Sequence, residues 1–185
     1  YLYKVYSPSM CIDLVDDDSS RFMCAIIESH SQYPSGITWS AGITIIDVST
    51  GKEVFLFEIH GADICRDLHE IAITYGIKEC QLTIDDTSVD LKSWEESLHL
   101  DCKIHITNPI KKAYRNIAFQ NERLKDIFQE YIGDSILTSI ETLNLEMYPL
   151  ARVSLLASLD FTESRDKTLL NRLSCPKFIT MDSNM

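Results

Sequence analysis

Few residues in this chain have both the type and the spacing to do chemistry. Asp47 closes an apolar run in GITIIDVSTGKEVF (42–55), and Asp85 and Asp86 stand together after another. Carboxylates gathered at strand ends can hold the paired divalent cations of a hydrolytic site. The first of them also has a simpler use. In Asp-Val-Ser-Thr-Gly, the side chains of Asp47, Ser49 and Thr50 can hydrogen-bond nearby backbone amides. Gly51 can take a positive φ, so these four residues suit a structural turn that closes a hairpin. A thiol nucleophile finds no frame. Cys102 and His105 are three apart, which on a strand puts them on opposite faces, and no Gly-x-Ser-x-Gly occurs. The six cysteines (11, 24, 65, 80, 102 and 175) make no Cys-x-x-Cys pair, and the five histidines add no ligand spacing. There is no Gly-x-x-x-x-Gly-Lys-[Ser/Thr] to cradle a nucleotide. Lys111, Lys112, Arg115, Arg123 and Lys125 concentrate positive charge in an otherwise acidic chain. They either solvate a helix or meet a DNA backbone or an acidic partner.

The elements that would position these residues follow from periodicity. The stretch 22–27 (FMCAII) is continuously apolar, as for a strand covered on both faces. A polar loop with Pro34 and Gly36 is expected over 29–39. Strands at 41–47 and 53–58 flank the Gly51 turn. Ile64, Leu68, Ile71 and Tyr75 recur at helical spacing, with Asp63 as N-cap and Gly76 as the stop. Alternation predicts strands at 79–84 and 102–107, with a helix over 91–98 between them. Thr107-Asn108-Pro109 reads as a helix opening. Leu124, Ile127, Phe128 and Tyr131 form a further stripe, stopped by Gly133. The order β-β-β-α-β-α-β-α describes a mixed sheet of about five strands flanked by helices, the ribonuclease H-like plan. A nuclease of that plan, with Asp47, Asp85 and Asp86 on its metals, is the alternative function to weigh. The absence of an acidic residue from 22–27, where its primary ligand would stand, counts against it. The helix from 149 to 161 is apolar nearly all round, so it is expected to leave the sheet and need partners elsewhere.

The 185 residues make one ordinary domain, or one with a piece of another, and 45% are hydrophobic, enough for a packed core. No apolar run approaches the roughly 20 residues of a membrane helix. The first residues lack the pattern of a signal peptide, and a start at Tyr1 suggests a piece of something longer. Cysteines inside apolar runs suggest an intracellular, reducing compartment. The net charge of -11, with Asp16, Asp17 and Asp18 in one run, repels phosphate at long range and opposes unaided grip on duplex DNA.

Four stretches together resemble the connector region of MutS-type DNA mismatch-repair proteins: VYSPSM near the start, FMCAIIE with GITIIDVSTGKEVF, IETLNLEMYPLARVSLLASLDF, and KFITMDSNM. The resemblance implies a linker over 1–20, a connector-like α/β domain over 21–143 and the start of a helical core (lever) domain over 144–185. It implies a non-catalytic module without a cofactor, with no catalytic or metal residues. Such a module relays state between mismatch-reading and ATPase parts. ATP and Mg, mismatched DNA and a dimeric assembly would belong to the parent protein, and a MutL-type protein would dock on the α/β unit. In that family the aspartate of the Asp-x-Ser-Thr-Gly turn is not catalytic.

Overall fold

The computed structural model describes residues 20–32, 36–85, 91–107 and 110–180. Its centre is strand β1 (Arg21–Gln32), flanked by β2 (Gly36–Asp47) and then β3 (Val54–Gly61) in an antiparallel meander. On the other side of β1 lie β4 (Ile77–Ile84) and β5 (Lys103–Ile106), both parallel to it. A two-residue strand β6 (Lys177–Phe178) adds to the free edge of β3, giving the order β5-β4-β1-β2-β3-β6. The mixed, ribonuclease H-like sheet expected from element order is therefore present, with six strands.

β1 is apolar on both faces because both are covered. Met23, Ala25 and Ile27 face α1 (Ile64–Thr74) and α2 (Leu91–Leu98), the two crossover helices. Phe22, Cys24 and Ile26 face the opposite layer. That layer is built from α3 (Ile117–Ile127), α4 (Gln129–Ile132), α5 (Ser139–Thr142), α6 (Pro149–Arg165) and α7 (Lys167–Leu170). All six β1 side chains are at most 1% exposed, and each such burial contributes about 1.5–3 kcal/mol for the larger chains. The first crossover helix starts and stops where its sequence says. The Asp63 carboxylate accepts from Arg66 N at 3.3 Å, and Gly76 takes φ 59°.

Three expectations are corrected. Within the stretch 29–39, residues 29–32 and 36–39 are strand rather than loop. β1 and β2 run on as a hairpin with Ser29 opposite Trp39, and Trp39 packs edge-on to Trp94 at 5.0 Å. The helix expected at 107–109 begins later, after a 3-10 turn Lys112–Arg115, where the Asn116 side chain accepts from Phe119 N. Residues 108 and 109 lie outside the described residues, as do 1–19 and 181–185.

The third correction concerns α6. Its all-round apolarity does not carry it away from the sheet, because it is the central helix of the second layer. Leu150, Ala151, Val153, Leu155, Leu156 and Leu159 are buried among β1, β2 and the neighbouring helices. Small residues bring it close. The Thr44 and Ser154 hydroxyls meet at 2.7 Å in the buried interface, and Ser158 donates back to Ser154 O. A methyl group at Gly42 would stand 2.1 Å from the Leu150 carbonyl. Beyond α7 the chain returns to pair with β3. Among the described residues no helix is long and apolar enough to cross a membrane.

Candidate active site

The turn residues behave as their types suggest. The Asp47 carboxylate accepts from Ser49 N at 2.9 Å, from Ser49 Oγ at 2.5 Å and from Thr50 Oγ1 at 2.5 Å. Gly51 sits at φ 72° and donates its N–H to Asp47 O. Burial pushes the Asp47 carboxyl up, but the bonds from Ser49 and Thr50 outweigh it and hold the pKa below its ordinary value. Both carboxylate oxygens are thus engaged within the turn.

Asp47 also stands at the wrong end of the sheet to join Asp85. It pairs with Arg21 at the start of β1. Asp85 follows the last residue of β4, level with the Ile27 end of β1, and its N–H donates to Ile27 O at 2.8 Å. That is most of a strand length, about 20 Å at the usual rise. Asp86 lies outside the described residues. The proposed Asp47–Asp85–Asp86 grouping is therefore corrected at its first member.

The partner that the topology gives Asp85 is Glu28. The strand does not stop at Ile27. It continues, and Glu28 extends the alternating set Phe22, Cys24, Ile26 on the α6 face. Reading 22–27 as the complete strand hid the acidic residue just beyond it. The available signal was that Glu28 keeps the period of two. β1 and β4 are adjacent and parallel, so Glu28 and Asp85 meet at their carboxyl ends, where open α/β sheets bind ligands.

Between them stands Arg115. Its Nη2 donates to Glu28 Oε1 and, at 2.7 Å, to Asp85 Oδ2. The chain reaches this point after β5, as it passes from the α1/α2 face to the α6 face. The 3-10 turn that carries Arg115 is tied down on both sides. Tyr114 is 5% exposed and donates its hydroxyl to Asp160, and Gln120 Nε2 donates to Tyr114 O at 2.6 Å. Desolvation works against the Arg115 charge, but the two carboxylates outweigh it and raise its pKa above the ordinary value.

Beside this triad opens a cavity of about 400 Å³, lined by Glu28, His30, Ser40, Glu58, His60 and Arg115 together with the start of α6. Glu58 is already engaged. Its side chain is 6% exposed, and Oε2 accepts from Leu150 N and Ala151 N at 2.9 Å each, capping α6. Burial pushes its pKa up. Ser40 Oγ lies 2.7 Å from His60 Nδ1, but His60 Nε2 is 3.9 Å from Glu58, too far for a hydrogen bond.

The basic cluster is mostly internal wiring. Lys111 pairs with Asp160, Arg123 with Glu163 and Asp160, and Arg115 with Glu28 and Asp85, while Lys112 and Lys125 are exposed. His105 turns to Glu79 at 2.6 Å, a carboxylate that Arg165 also grips with two nitrogens.

Glu28 and Asp85 suit one divalent cation. Carboxylate oxygens are the hard donors that Mg²⁺ and Mn²⁺ prefer. These two converge on a single cationic nitrogen, so the point they share is one where positive charge is stabilised. Among the described residues no group of three or more His, Cys, Asp or Glu converges as a cage. Mg²⁺ in phosphoryl chemistry is commonly held by one or two carboxylates plus substrate oxygens, so two suffice.

No family model matches the chain. No curated protein matches it either. Among solved structures it is similar to the fowlpox virus resolvase in complex with a substrate Holliday junction DNA. That similarity has 13% identity and a TM-score of 0.39, over 76% of this chain and 97% of that one. The resemblance to a MutS-type connector is corrected by these findings. No family model supports mismatch repair. The readings that came with that family, a non-catalytic module without a cofactor, are withdrawn with it.

Proposed function

We propose that this chain is a ribonuclease H-like, divalent-metal-dependent nuclease whose active site is the Glu28–Asp85 pair at the carboxyl ends of β1 and β4. The observation that supports it is the convergence of both carboxylates on one cationic position beside an open cavity.

A bound divalent cation would polarise a phosphoryl oxygen and make its water more acidic. The chain's own residues do the rest. Glu28 and Asp85 would hold that cation, each fixed by its strand, and Asp85 is fixed further by the N–H it donates to Ile27 O. Arg115, on the 3-10 turn beside the pair, supplies a planar guanidinium within reach of the site, a group that matches the geometry of a phosphate. The cavity bordered by Ile117, Leu150 and Val153 gives a nucleotide an apolar wall against which water is excluded. A net charge of -11 gives no general attraction to nucleic acid, so affinity must come from this local site.

The test is hydrolysis of labelled single-stranded DNA, duplex DNA, an RNA–DNA hybrid and a four-way junction, the last being the substrate named for the fowlpox enzyme. Each is assayed with Mg²⁺, Mn²⁺ and EDTA. Metal-dependent cleavage that Glu28→Gln and Asp85→Asn each lower on the order of 100-fold or more is expected, the scale for loss of a transition-state charge stabiliser. Cleavage indifferent to both substitutions would place the chemistry elsewhere.

A further inference from the structure

We infer that Arg115 is a tethered counter-cation that competes with the divalent metal for the Glu28–Asp85 pair, so that metal binds only as the guanidinium withdraws. This inference rests on the site proposed above and adds its regulation. One nitrogen, Nη2, contacts both carboxylates. A guanidinium and a divalent cation cannot both take that point, because both would sit between the same two carboxylates and like charges repel at contact distance.

The side chains are placed for such an exchange. Arg115 is 42% exposed, Glu28 20% and Asp85 47%. The guanidinium therefore has solvent to move into, while its backbone stays anchored through Tyr114 and Gln120. The arm is long and flexible, whereas Glu28 sits on the central strand with Phe22, Cys24 and Ile26 at most 1% exposed before it. Arg115 is thus the partner with the long arm, and Glu28 is the ligand held by the central strand. Three other cations of this layer have carboxylates of their own. Lys111 and Arg123 hold Asp160, and Arg165 holds Glu79. None of these carboxylates stands in for Glu28 and Asp85.

Mn²⁺ binding, followed by titration calorimetry and by the loss of free-ion electron paramagnetic resonance signal, separates this inference from the site itself. The full chain is compared with Arg115→Met, which keeps the apolar stem, Arg115→Lys, which keeps the charge, and Arg115→Met combined with Glu28→Gln. Arg115→Met is expected to tighten Mn²⁺ binding on the order of tenfold or more, the equivalent of one charge-assisted contact. Arg115→Lys is expected to stay near wild type, and the double variant to lose the gain. Equal Mn²⁺ affinity in wild type and Arg115→Met, abolished in the double variant, would overturn the competition and leave the site intact. No binding to any folded variant would overturn both. Circular dichroism melts establish folding for each protein.

Discussion

A single methyl group at Gly42 tests how closely α6 is built into the sheet. Gly42 lies on β2 beneath the first turn of the helix. A Cβ there would stand 2.1 Å from Leu150 C and O and 2.5 Å from Ala151 N, where ordinary contact begins near 3.4 Å. All three are backbone atoms, so no rotamer change relieves the clash. The helix start must move by at least about 1 Å, an overpacking cost of about 1–3 kcal/mol. The same movement strains the two amide bonds to Glu58, 2.9 Å each, and bonds to a charged group are worth about 1.5–3 kcal/mol. These contributions are coupled rather than additive, and together they put the loss for Gly42→Ala at about 3–5 kcal/mol. Equilibrium urea unfolding reads it directly, as a midpoint lowered by roughly 1.5–2.5 M for a slope near 2 kcal/mol/M. Gly61→Ala is the control, since its methyl would meet nothing closer than 3.9 Å, and it should stay within about 1 kcal/mol of wild type. A Gly42→Ala loss below about 1 kcal/mol, with the slope unchanged, would refute the close approach of α6 to β2.

Other outcomes follow from the same packing. Asp47→Ala should destabilise by about 1.5–3 kcal/mol at neutral pH. The Asp47 pKa is lower in the folded chain than its ordinary 3.8, so its contribution is complete above that value and is lost as pH falls through the folded pKa. The gap between wild type and Asp47→Ala in urea midpoints should therefore narrow only below about pH 4, and a gap constant to pH 2 would contradict the assignment. Thr44→Val should cost about 1–2 kcal/mol, and Thr44→Val with Ser154→Ala less than the sum of the two singles, because the buried hydroxyl pair is then removed whole; a denaturation double-mutant cycle measures this. Cys24 is 0% exposed with its thiol pushed up to about 12 by burial, and Cys80 is likewise buried and raised. Mass spectrometry after brief iodoacetamide treatment should find Cys65, Cys102 and Cys175 labelled before either, and early label on Cys24 would count against its burial.

Much of the sheet was legible because its residues obey one local rule at a time. The 22–27 run, the Asp-x-Ser-Thr-Gly turn, the Asp63 cap and the Gly76 stop each act within a few residues, and the structure uses them as read. What sequence could not supply was decided between distant segments. An all-round apolar helix can pack in more than one way, and contacts with distant residues, among them those at Gly42, Thr44 and Glu58, hold α6 against the sheet. The site was half legible. Asp85 was singled out as a strand-end carboxylate and Arg115 as one of a basic cluster. Glu28 has no such signal, because the apolar run ends before it while the strand continues. Their meeting depends on the parallel β1–β4 register and on the chain crossing the sheet edge at 110–115, and neither has a local signature. The MutS resemblance failed for a related reason. Short turn and helix motifs recur wherever the same local physics is needed, so their order along a chain does not establish a family.

The most direct test of the account is a crystal structure of the full chain grown in Mn²⁺, with anomalous difference density recorded at the manganese edge. The account predicts a peak within about 2.0–2.4 Å of a Glu28 and an Asp85 oxygen, with the Arg115 guanidinium moved away from both. Arg115 still bridging the two carboxylates, with manganese absent or bound elsewhere, would contradict it.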